Sequence, residues 1–222
     1  MSAAFLTPGW DFEGLEHGFA PRDTDIAPHL RVVRVKQVHG AELIVADGRT
    51  PPVAGDADGL FTACPGTAVA IATADCVPVL LAAPAARVVA AVHAGWRGSL
   101  AGIVPRAVAT FRERFGVPPP EIRAALGPSI GGCCYEVERD IAEKFASRYG
   151  PSMWEAWTNG RTGKGTLDLR TVNERLLRHA GIPAEAITHV GPCTSCGNAD
   201  LASYRVQGPK AGRQLSWIGL AA

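Results

Sequence analysis

Apolar residues in the middle of the chain form short continuous runs that are separated by brief polar steps. Two runs, residues 68–72 and 77–83, flank the step Thr73-Ala74-Asp75-Cys76, and a β-branched run follows over residues 87–93. Runs of this length bounded by turn residues are typical of buried strands. Because Pro84-Ala85-Ala86 separates the second run from the third, we predict that these two form an antiparallel hairpin.

Later in the chain, apolar residues recur at helical spacing, and capping residues mark where the predicted helices begin and end. Ser99 is a suitable N-cap for a helix that runs to about residue 115, where Gly116 stops it. Two further helices are predicted over about 137–149 and 168–180, each followed by a glycine. Additional strands are predicted at three places, which are residues 121–126, 187–190 and 214–218.

Together these elements indicate an α+β fold. Strands and helices are mixed without the regular strand–helix–strand alternation of a doubly wound sheet. We therefore expect a mixed, largely antiparallel β-sheet core flanked by helices. The two linker candidates, residues 117–120 and 158–165, are short, so we expect residues 1–222 to form one domain.

Composition narrows the classes of function. The chain has 222 residues, of which 47% are hydrophobic and 19% charged, as is ordinary for a globular protein. Its formal net charge of +1 gives no broad field that would attract nucleic acid or an anionic membrane. The longest apolar stretch, residues 77–86, contains two prolines and is too short to span a bilayer. The N-terminus lacks the features of a secretory signal, so we expect a cytoplasmic protein whose six cysteines are mostly thiols.

Three residues are candidate ligands of a transition metal. In the predicted hairpin Cys76 begins one strand and His93 ends its neighbour, so their side chains are expected at the same end. His39 precedes Gly40, which lets the backbone turn directly after the histidine. Two imidazoles and one thiolate suit zinc or copper, and three protein ligands leave a fourth position open, as catalytic sites do.

The same residues allow other interpretations. Cys76 could be the nucleophile of a hydrolase, with His93 as its base. A buried cysteine that fills the core and a hydrogen-bonded histidine at a strand end are also compatible with the spacing. Spacing and periodicity alone leave these alternatives open.

Several short motifs, taken in order along the chain, resemble the YfiH-like laccase-domain family. Members of that family are variously named purine nucleoside phosphorylase, multicopper polyphenol oxidase and peptidoglycan editing factor. The similarity runs from about His17 to the C-terminus, and its most specific motifs are Thr73-Ala74-Asp75-Cys76 and His93-Ala94-Gly95-Trp96-Arg97-Gly98. The other motifs are Gln37-Val38-His39-Gly40, Asp58-Gly59-Leu60, Leu126-Gly127-Pro128-Ser129-Ile130-Gly131, Cys134-Tyr135-Glu136-Val137, Leu167-Asp168-Leu169, Cys193-Thr194 and Ser203-Tyr204-Arg205.

The resemblance assigns roles to individual residues. It implies that His39, Cys76 and His93 bind the metal, with zinc expected and copper as the alternative. Cys76, His93 and Asp75 are the expected catalytic residues, with Asp75 either transferring protons or orienting a metal ligand. A backbone-capping role at the strand break is an equally open interpretation of Asp75.

The resemblance also implies an activity. Phosphorolysis of adenosine, inosine, guanosine or methylthioadenosine is expected, with adenosine deamination as a side activity, so purine nucleosides and phosphate are the expected partners. Two further activities stay open. One is amide cleavage in peptidoglycan-precursor editing, and the other is copper-dependent polyphenol oxidation, which is disfavoured because the chain has only six histidines.

Phosphorolysis requires cationic side chains that orient phosphate. By resemblance Arg22 is the first candidate for this role. Arg97 is the second, although a structural role is equally compatible with an arginine that follows a buried tryptophan. Only fourteen residues separate Arg22 from Gln37, fewer than is usual in the family, which leaves the nucleoside contacts of that segment open.

For the cysteines of a CxxC segment, a structural thiol is favoured over a metal ligand. The segment Cys193-Thr194-Ser195-Cys196 has the CxxC spacing of zinc sites, but a four-cysteine site needs a second pair. The adjacent Cys133 and Cys134 are expected to be a poor partner for it. We therefore interpret Cys193 as a structural thiol near the site.

Overall fold

The computed structural model of the protein describes residues 4–22, 24, 29–159 and 163–222. Within these ranges the strands form three sheets. The strands are β1 (Leu15–Arg22), β2 (Arg31–Lys36), β3 (Leu43–Ala46), β4 (Val53–Asp56), β5 (Gly59–Thr62), β6 (Thr67–Thr73), β7 (Val77–Ala83), β8 (Val88–Ala94), β9 (Arg123–Leu126), β10 (Glu136–Glu138), β11 (Trp157–Asn159), β12 (Lys164–Leu167), β13 (Ile187–His189) and β14 (Gln214–Leu220). The α-helices are α1 (Trp96–Ala101), α2 (Ile103–Phe115), α3 (Arg139–Tyr149), α4 (Leu169–His179) and α5 (Tyr204–Gln207). Short 3-10 helices lie at Pro119–Glu121, Pro151–Ala156, Ala184–Ala186 and Gly208–Lys210.

A six-stranded sheet in the order β13-β9-β7-β8-β5-β3 contains the predicted hairpin. Strands β7 and β8 pair antiparallel, with Val77 opposite Ala94 and Pro78 opposite His93. The hairpin prediction is confirmed, and the strand predicted over residues 77–83 has the same limits in the structure. Every residue of β7 is buried and its side chains alternate between the two faces, so both faces of this strand pack on apolar layers.

A five-stranded sheet in the order β1-β14-β6-β2-β4 packs on one face of the six-stranded sheet. Val69 and Ile71 of β6 share an apolar cluster with Leu80 of β7 and Ala91 of β8. The strands on either side of residues 73–76 therefore belong to different sheets, and this polar step connects them. The third sheet, with the order β10-β12-β11, is smaller.

Helices pack on the other face of the six-stranded sheet, where α2 and α4 share an apolar cluster with alternate residues of β7. The single helix predicted from Ser99 to residue 115 is wrong, because the chain forms two helices here. Gly102 separates α1 from α2 with a φ of 91°, in the left-handed region that glycine tolerates. Ser99 lies inside α1, and its hydroxyl donates to Oδ1 of Asn173 rather than capping a helix.

The other predicted helices are confirmed with small shifts. The helix predicted over about 137–149 begins at Arg139, because Val137 pairs in strand β10. Asp168 caps α4, since its carboxylate accepts hydrogen bonds from two backbone N–H groups of the first turn. Seven of the eleven described strand pairings are antiparallel, which confirms an α+β fold with mixed, largely antiparallel sheets.

Some expectations fall on parts of the chain that the structure does not cover. Residues 23 and 25–28, within the short segment between Arg22 and Gln37, lie outside the described residues, as do residues 160–162 of one linker candidate. The effect of the short segment on nucleoside binding therefore stays a prediction. The expectation that residues 1–222 form one domain also stays a prediction. Among the helices that are described, none is both long and apolar enough to cross a membrane.

Candidate metal centre

Cys76 and His93 meet at one end of the β7–β8 hairpin. Cys76 directly precedes β7, and His93 is the second-last residue of β8. The ligand atoms of His39, Cys76 and His93 all lie within 4.8 Å of one another. The rings of the two histidines are edge to face, with centroids 4.8 Å apart. The structure thus brings together the three predicted ligands.

His39 is positioned by a constrained turn that follows β2. Its φ of 60° lies in the left-handed region, which is uncommon for a residue with a side chain. The carboxylate of Asp58 accepts hydrogen bonds from the backbone N–H groups of Val38, His39 and Gly40 at 3.2, 2.9 and 2.6 Å. These three bonds hold the turn that places His39 beside Cys76.

The same carboxylate orients His93. Nδ1 of His93 donates to Oδ1 of Asp58 at 2.8 Å, and both side chains are almost fully buried. Burial favours the neutral acid, but the hydrogen bonds from His93 and Gly40 lower the pKa of Asp58 below its usual range. The carboxylate is therefore the acceptor and Nδ1 carries the proton, which leaves Nε2 as the ring nitrogen that can bind a metal.

Cys76 and His93 favour each other's charged form. Burial opposes ionisation of the thiol, but hydrogen bonds with His39 and His93 lower the pKa of Cys76 to about 6. Burial also opposes the imidazolium, yet hydrogen bonds with Asp58 and Cys76 raise the pKa of His93 to about 9. At neutral pH the sulfur is therefore a thiolate, which is the form that binds metals and acts as a nucleophile.

Gly95 leaves space beside the thiolate. A Cβ atom at this position would lie 2.9 Å from Sγ of Cys76 and 3.7 Å from Cδ2 of His39. A larger residue would therefore displace the sulfur. Two imidazoles and a thiolate that converge in this way fit a zinc or copper ion and are a poor match for magnesium or calcium.

The three side chains line a cavity of about 480 Å³. Other polar side chains in its wall include Tyr135, Tyr204, Arg205 and Arg213. Both Nη atoms of Arg205 donate to the carbonyl of Glu136, at 3.0 and 3.1 Å, and the guanidinium lies 5.3 Å from the ring centroid of Tyr135. Burial and the neighbouring Cys76 raise the pKa of Tyr135 to about 12, so its phenol stays protonated at neutral pH.

Asp75 lies in the cavity wall with a φ of 85°, again in the left-handed region. Both of its carboxylate oxygens accept hydrogen bonds at 2.7 Å, Oδ1 from the hydroxyl of Thr194 and Oδ2 from the backbone N–H of Arg205. The backbone carbonyl of Asp75 accepts from the N–H of Ile130 at 2.9 Å. These bonds connect the step between β6 and β7 to three later segments of the chain.

Each of the two arginines predicted to bind phosphate makes a contact within the protein. Neither Arg22 nor Arg97 is among the described residues that line the cavity. Arg22 ends β1, and its Nη2 donates to the carbonyl of Ala199 at 3.3 Å. The guanidinium of Arg97 lies over the ring of Trp96, 4.5 Å from the centroid. A direct contact between phosphate and either residue stays a prediction.

Several residues of the site had no predicted role. Asp58, Tyr135 and Arg205 lie in motifs of the family resemblance, which could have pointed to them. Arg213 had no such signal, because it lies in a polar segment before β14 and outside every quoted motif.

A second group of side chains of a type that can bind metal lies outside the cavity wall. The sulfur atoms of Cys133, Cys134, Cys193 and Cys196 all lie within 4.8 Å of one another. The expectation that the adjacent cysteines are a poor partner for the CxxC segment is wrong. The backbone turns at residues 132–134, where the N–H of Cys134 donates to the carbonyl of Gly131 at 2.9 Å, and both side chains reach the CxxC segment.

This fold and this site correspond to a known family. The sequence model described as multi-copper polyphenol oxidoreductase laccase matches residues 22–221, so the chain belongs to this family. The crystal structure of the Bacillus licheniformis hypothetical protein YfiH superposes with a TM-score of 0.90 at 27% identity, and covers 99% of this chain and 97% of its own. YlmD from Geobacillus stearothermophilus gives a TM-score of 0.89 at 28% identity, with 100% and 98% covered. The resemblance inferred from the motifs is therefore confirmed.

Similar curated proteins are named as enzymes. Purine nucleoside phosphorylase YlmD of Geobacillus stearothermophilus is 35% identical over 201 residues, which are 86% of this chain and 73% of that protein. A purine nucleoside phosphorylase of Deinococcus radiodurans is 40% identical over 187 residues, which are 84% and 69% of the two chains. Adenosine deaminase RL5, from an unknown prokaryotic organism, is 34% identical over 195 residues, or 84% and 74%.

Proposed function

We propose that this protein is a metal-dependent purine nucleoside phosphorylase that also deaminates adenosine. The proposal rests on the convergence of His39, Cys76 and His93 at a cavity whose wall also contains Arg205 and Arg213. Membership of the family and the names of the relatives support it. The expected nucleosides are adenosine, inosine, guanosine or methylthioadenosine, and the expected enzyme is a single domain of residues 1–222 in the cytoplasm, where thiols stay reduced.

Zinc is the metal we propose for His39, Cys76 and His93. When bound there, zinc supplies Lewis acidity at the cavity. Copper is the alternative that the family description suggests. Multicopper oxidation needs several histidine-rich copper sites, whereas the described residues contain one His–Cys–His group and one four-cysteine group. This argues against multicopper oxidation, and zinc is proposed because three protein ligands leave a fourth position open, as in catalytic zinc sites.

Phosphate is proposed to bind at the two arginines of the cavity wall. In phosphorolysis a phosphate oxygen forms a bond to C1′ of the ribose while the C1′–N9 bond breaks, and the electron pair of that bond passes to the purine. Because positive charge develops on the ribose, the phosphate must be held close to it in a fixed orientation. Arg205 is itself anchored at the carbonyl of Glu136, and Arg213 is the other arginine among the described residues of the wall. Arg22 and Arg97 are second candidates because neither lines the cavity.

Asp75 is proposed to position Arg205 rather than to transfer protons. Its Oδ2 accepts from the backbone N–H of Arg205, and its Oδ1 accepts from Thr194. A general acid or base needs an oxygen that can reach the substrate, and both oxygens of Asp75 already accept bonds from the protein. Tyr135, which stays protonated, is a hydrogen-bond donor available in the same wall.

Product analysis with a panel of nucleosides tests the proposal. With phosphate present, inosine or guanosine is expected to give free base and ribose 1-phosphate, and omission of phosphate is expected to abolish base release. Adenosine is expected to give inosine without phosphate. A chelator should stop both reactions and added zinc should restore them. Base release that does not depend on phosphate, or that persists in Cys76→Ser, would contradict the proposal.

A cysteine hydrolase that cleaves amides of peptidoglycan precursors is the second candidate. The observation in its favour is the Cys76 thiol, whose pKa is lowered to about 6 against burial by hydrogen bonds with His39 and His93. Such a thiolate is a competent nucleophile. Amide cleavage that resists chelators and is trapped as a covalent adduct on Cys76 would favour this candidate over the phosphorylase.

A further inference from the structure

Four cysteines from two distant segments of the chain lie together. Cys133 and Cys134 belong to the turn that precedes β10, and Cys193 and Cys196 belong to the segment that follows β13. All four sulfur atoms lie within 4.8 Å of one another, and those of Cys133 and Cys196 are 3.6 Å apart. Four thiolates about 2.3 Å from a tetrahedral zinc ion are separated by about 3.8 Å, so the observed spacing fits one ion.

We propose that Cys133, Cys134, Cys193 and Cys196 bind a structural zinc ion, separate from the site formed by His39, Cys76 and His93. Four protein ligands fill the tetrahedral shell of zinc and leave no position for a substrate, which distinguishes this site from the three-ligand site. The inference does not depend on the nucleoside activity, because it concerns only the binding of a metal.

Backbone geometry around Cys193 is suited to a metal-bound thiolate. Its sulfur accepts hydrogen bonds from the N–H groups of Gly131 at 3.2 Å and Ser195 at 3.4 Å. Such bonds stabilise negative charge on a ligand sulfur and fix its direction. Gly197 completes the turn, because a Cβ atom there would lie 2.6 Å from the carbonyl oxygen of Cys193.

The site would join two segments that support the cavity wall. The N–H of Thr194 donates to the carbonyl of Ser129 at 3.0 Å, and the Thr194 hydroxyl donates to Asp75. Tyr135, which follows Cys134 directly, lines the cavity. A zinc ion bound to all four cysteines would therefore hold Thr194 and Tyr135 in place from outside the cavity.

A disulfide is the alternative use of these thiols. The 3.6 Å between the sulfur atoms of Cys133 and Cys196 is far longer than a disulfide bond of about 2.05 Å. A disulfide would also use only two of the four sulfur atoms. The other two sulfur atoms would then have no role that explains why all four lie together.

Metal analysis of protein purified under reducing conditions tests the proposal. The wild type is expected to contain about two zinc ions per chain, and either His39→Ala or the double variant Cys133→Ser/Cys196→Ser about one. The combined variant is expected to contain none. Cys64→Ser, which changes a cysteine outside both groups, is the matched control and should keep the wild-type content. Zinc content that is the same in the double variant as in the wild type would overturn the proposal.

A measurement on the wild type covers the case in which the double variant fails to fold. With zinc bound, the four thiols should resist a thiol reagent, and a chelator should expose them, as peptide mapping of the labelled cysteines would show. Replacement of zinc by cobalt should add the strong charge-transfer absorption of a four-thiolate site. Rapid labelling of all four cysteines before chelation, or a Cys133–Cys196 disulfide in the reduced preparation, would contradict the proposal.

Discussion

The carboxylate of Asp58 lies 2.8 Å from Nδ1 of His93, and neither side chain has appreciable contact with solvent. The oxygen that accepts this bond, Oδ1, also accepts from the N–H of His39 at 2.9 Å. Hydrogen bonds within the protein thereby fix residues from three separate segments relative to one another. One buried acid sets the position of one histidine and the ring orientation of the other.

Asp58→Asn is therefore expected to weaken metal binding. Loss of the carboxylate removes the charge that fixes the tautomer of His93, and loss of such an indirect partner lowers metal affinity by roughly 10–100-fold. Competition with a chelating dye measures the change. Asp56→Asn is the matched control. Asp56 is an exposed acid two residues away, and in the described ion pairs its carboxylate contacts only Lys36, at 3.4 Å. Equal affinity in the two variants would contradict the role assigned to Asp58.

Gly95→Ala is expected to disturb the thiolate without altering the fold elsewhere. The new methyl group would lie 2.9 Å from Sγ of Cys76, so the sulfur must move and the three ligands no longer converge. Overpacking of this kind costs about 1–3 kcal/mol of stability. Zinc content at the three-ligand site should fall, as measured in the background that lacks Cys133 and Cys196.

Gly48→Ala is the control for that substitution. A Cβ atom at Gly48 meets nothing within 4 Å, and its φ lies outside the left-handed region. Zinc content and unfolding temperature should match those of the parent protein. A Gly95→Ala protein that bound zinc as tightly as the Gly48→Ala control would show that the thiolate does not need this space.

The sequence predicted the strands beside the three-ligand site better than it predicted how those strands are arranged in sheets. The β7–β8 hairpin followed from two apolar runs around Pro84, and its antiparallel pairing brought Cys76 and His93 to one end. The sequence pattern did not show that β6 and β7 lie in different sheets, because both are continuous apolar runs. The break at Gly102 was missed because glycine within a helical pattern does not by itself end a helix.

The parts of the site that depend on the type of a single residue were predictable from the sequence. The parts that depend on contacts between distant segments of the chain were less so. His39, Cys76 and His93 were accessible from residue type and family resemblance. The four-cysteine group was not, because adjacent cysteines on an extended chain point in opposite directions and only the turn at residues 132–134 brings Cys133 and Cys134 to the same side. Arg213 reaches the cavity through tertiary packing that no local pattern shows.

Metal binding at the three-ligand site is expected to release protons in a pH-dependent way. Against the effect of burial, hydrogen bonds lower the pKa of Cys76 to about 6 and raise that of His93 to about 9. Between these values Cys76 is already a thiolate and His93 still holds a proton that the metal must displace. Uptake of zinc should release about one proton in this range and none above it, so affinity rises about tenfold per pH unit between them.

Calorimetry in buffers with different ionisation enthalpies measures the number of protons released. The titration is made in the background without Cys133 and Cys196, so that the other cysteine group does not contribute. A pH-independent affinity between about 6 and 9 would show that His93 is neutral before the metal binds, contrary to the pKa shift caused by Asp58 and Cys76.

Arg213→Ala is expected to impair the use of phosphate. A charged hydrogen bond contributes about 1.5–3 kcal/mol, so kcat/KM for phosphate should fall by roughly 10–100-fold. Deamination of adenosine, which uses no phosphate, should change much less. Arg114→Ala removes an exposed arginine of α2 and is the matched control. Equal losses in phosphorolysis and deamination would indicate a general defect rather than a phosphate site.

The most direct test of the account is an anomalous difference map at the zinc absorption edge, from crystals of the wild type and of Cys76→Ser. The wild type should show a peak about 2.3 Å from Sγ of Cys76 and about 2.0–2.1 Å from one ring nitrogen each of His39 and His93, and the variant should lack it. A wild-type map without a peak among these three side chains, from protein that is active in phosphorolysis, would contradict the account.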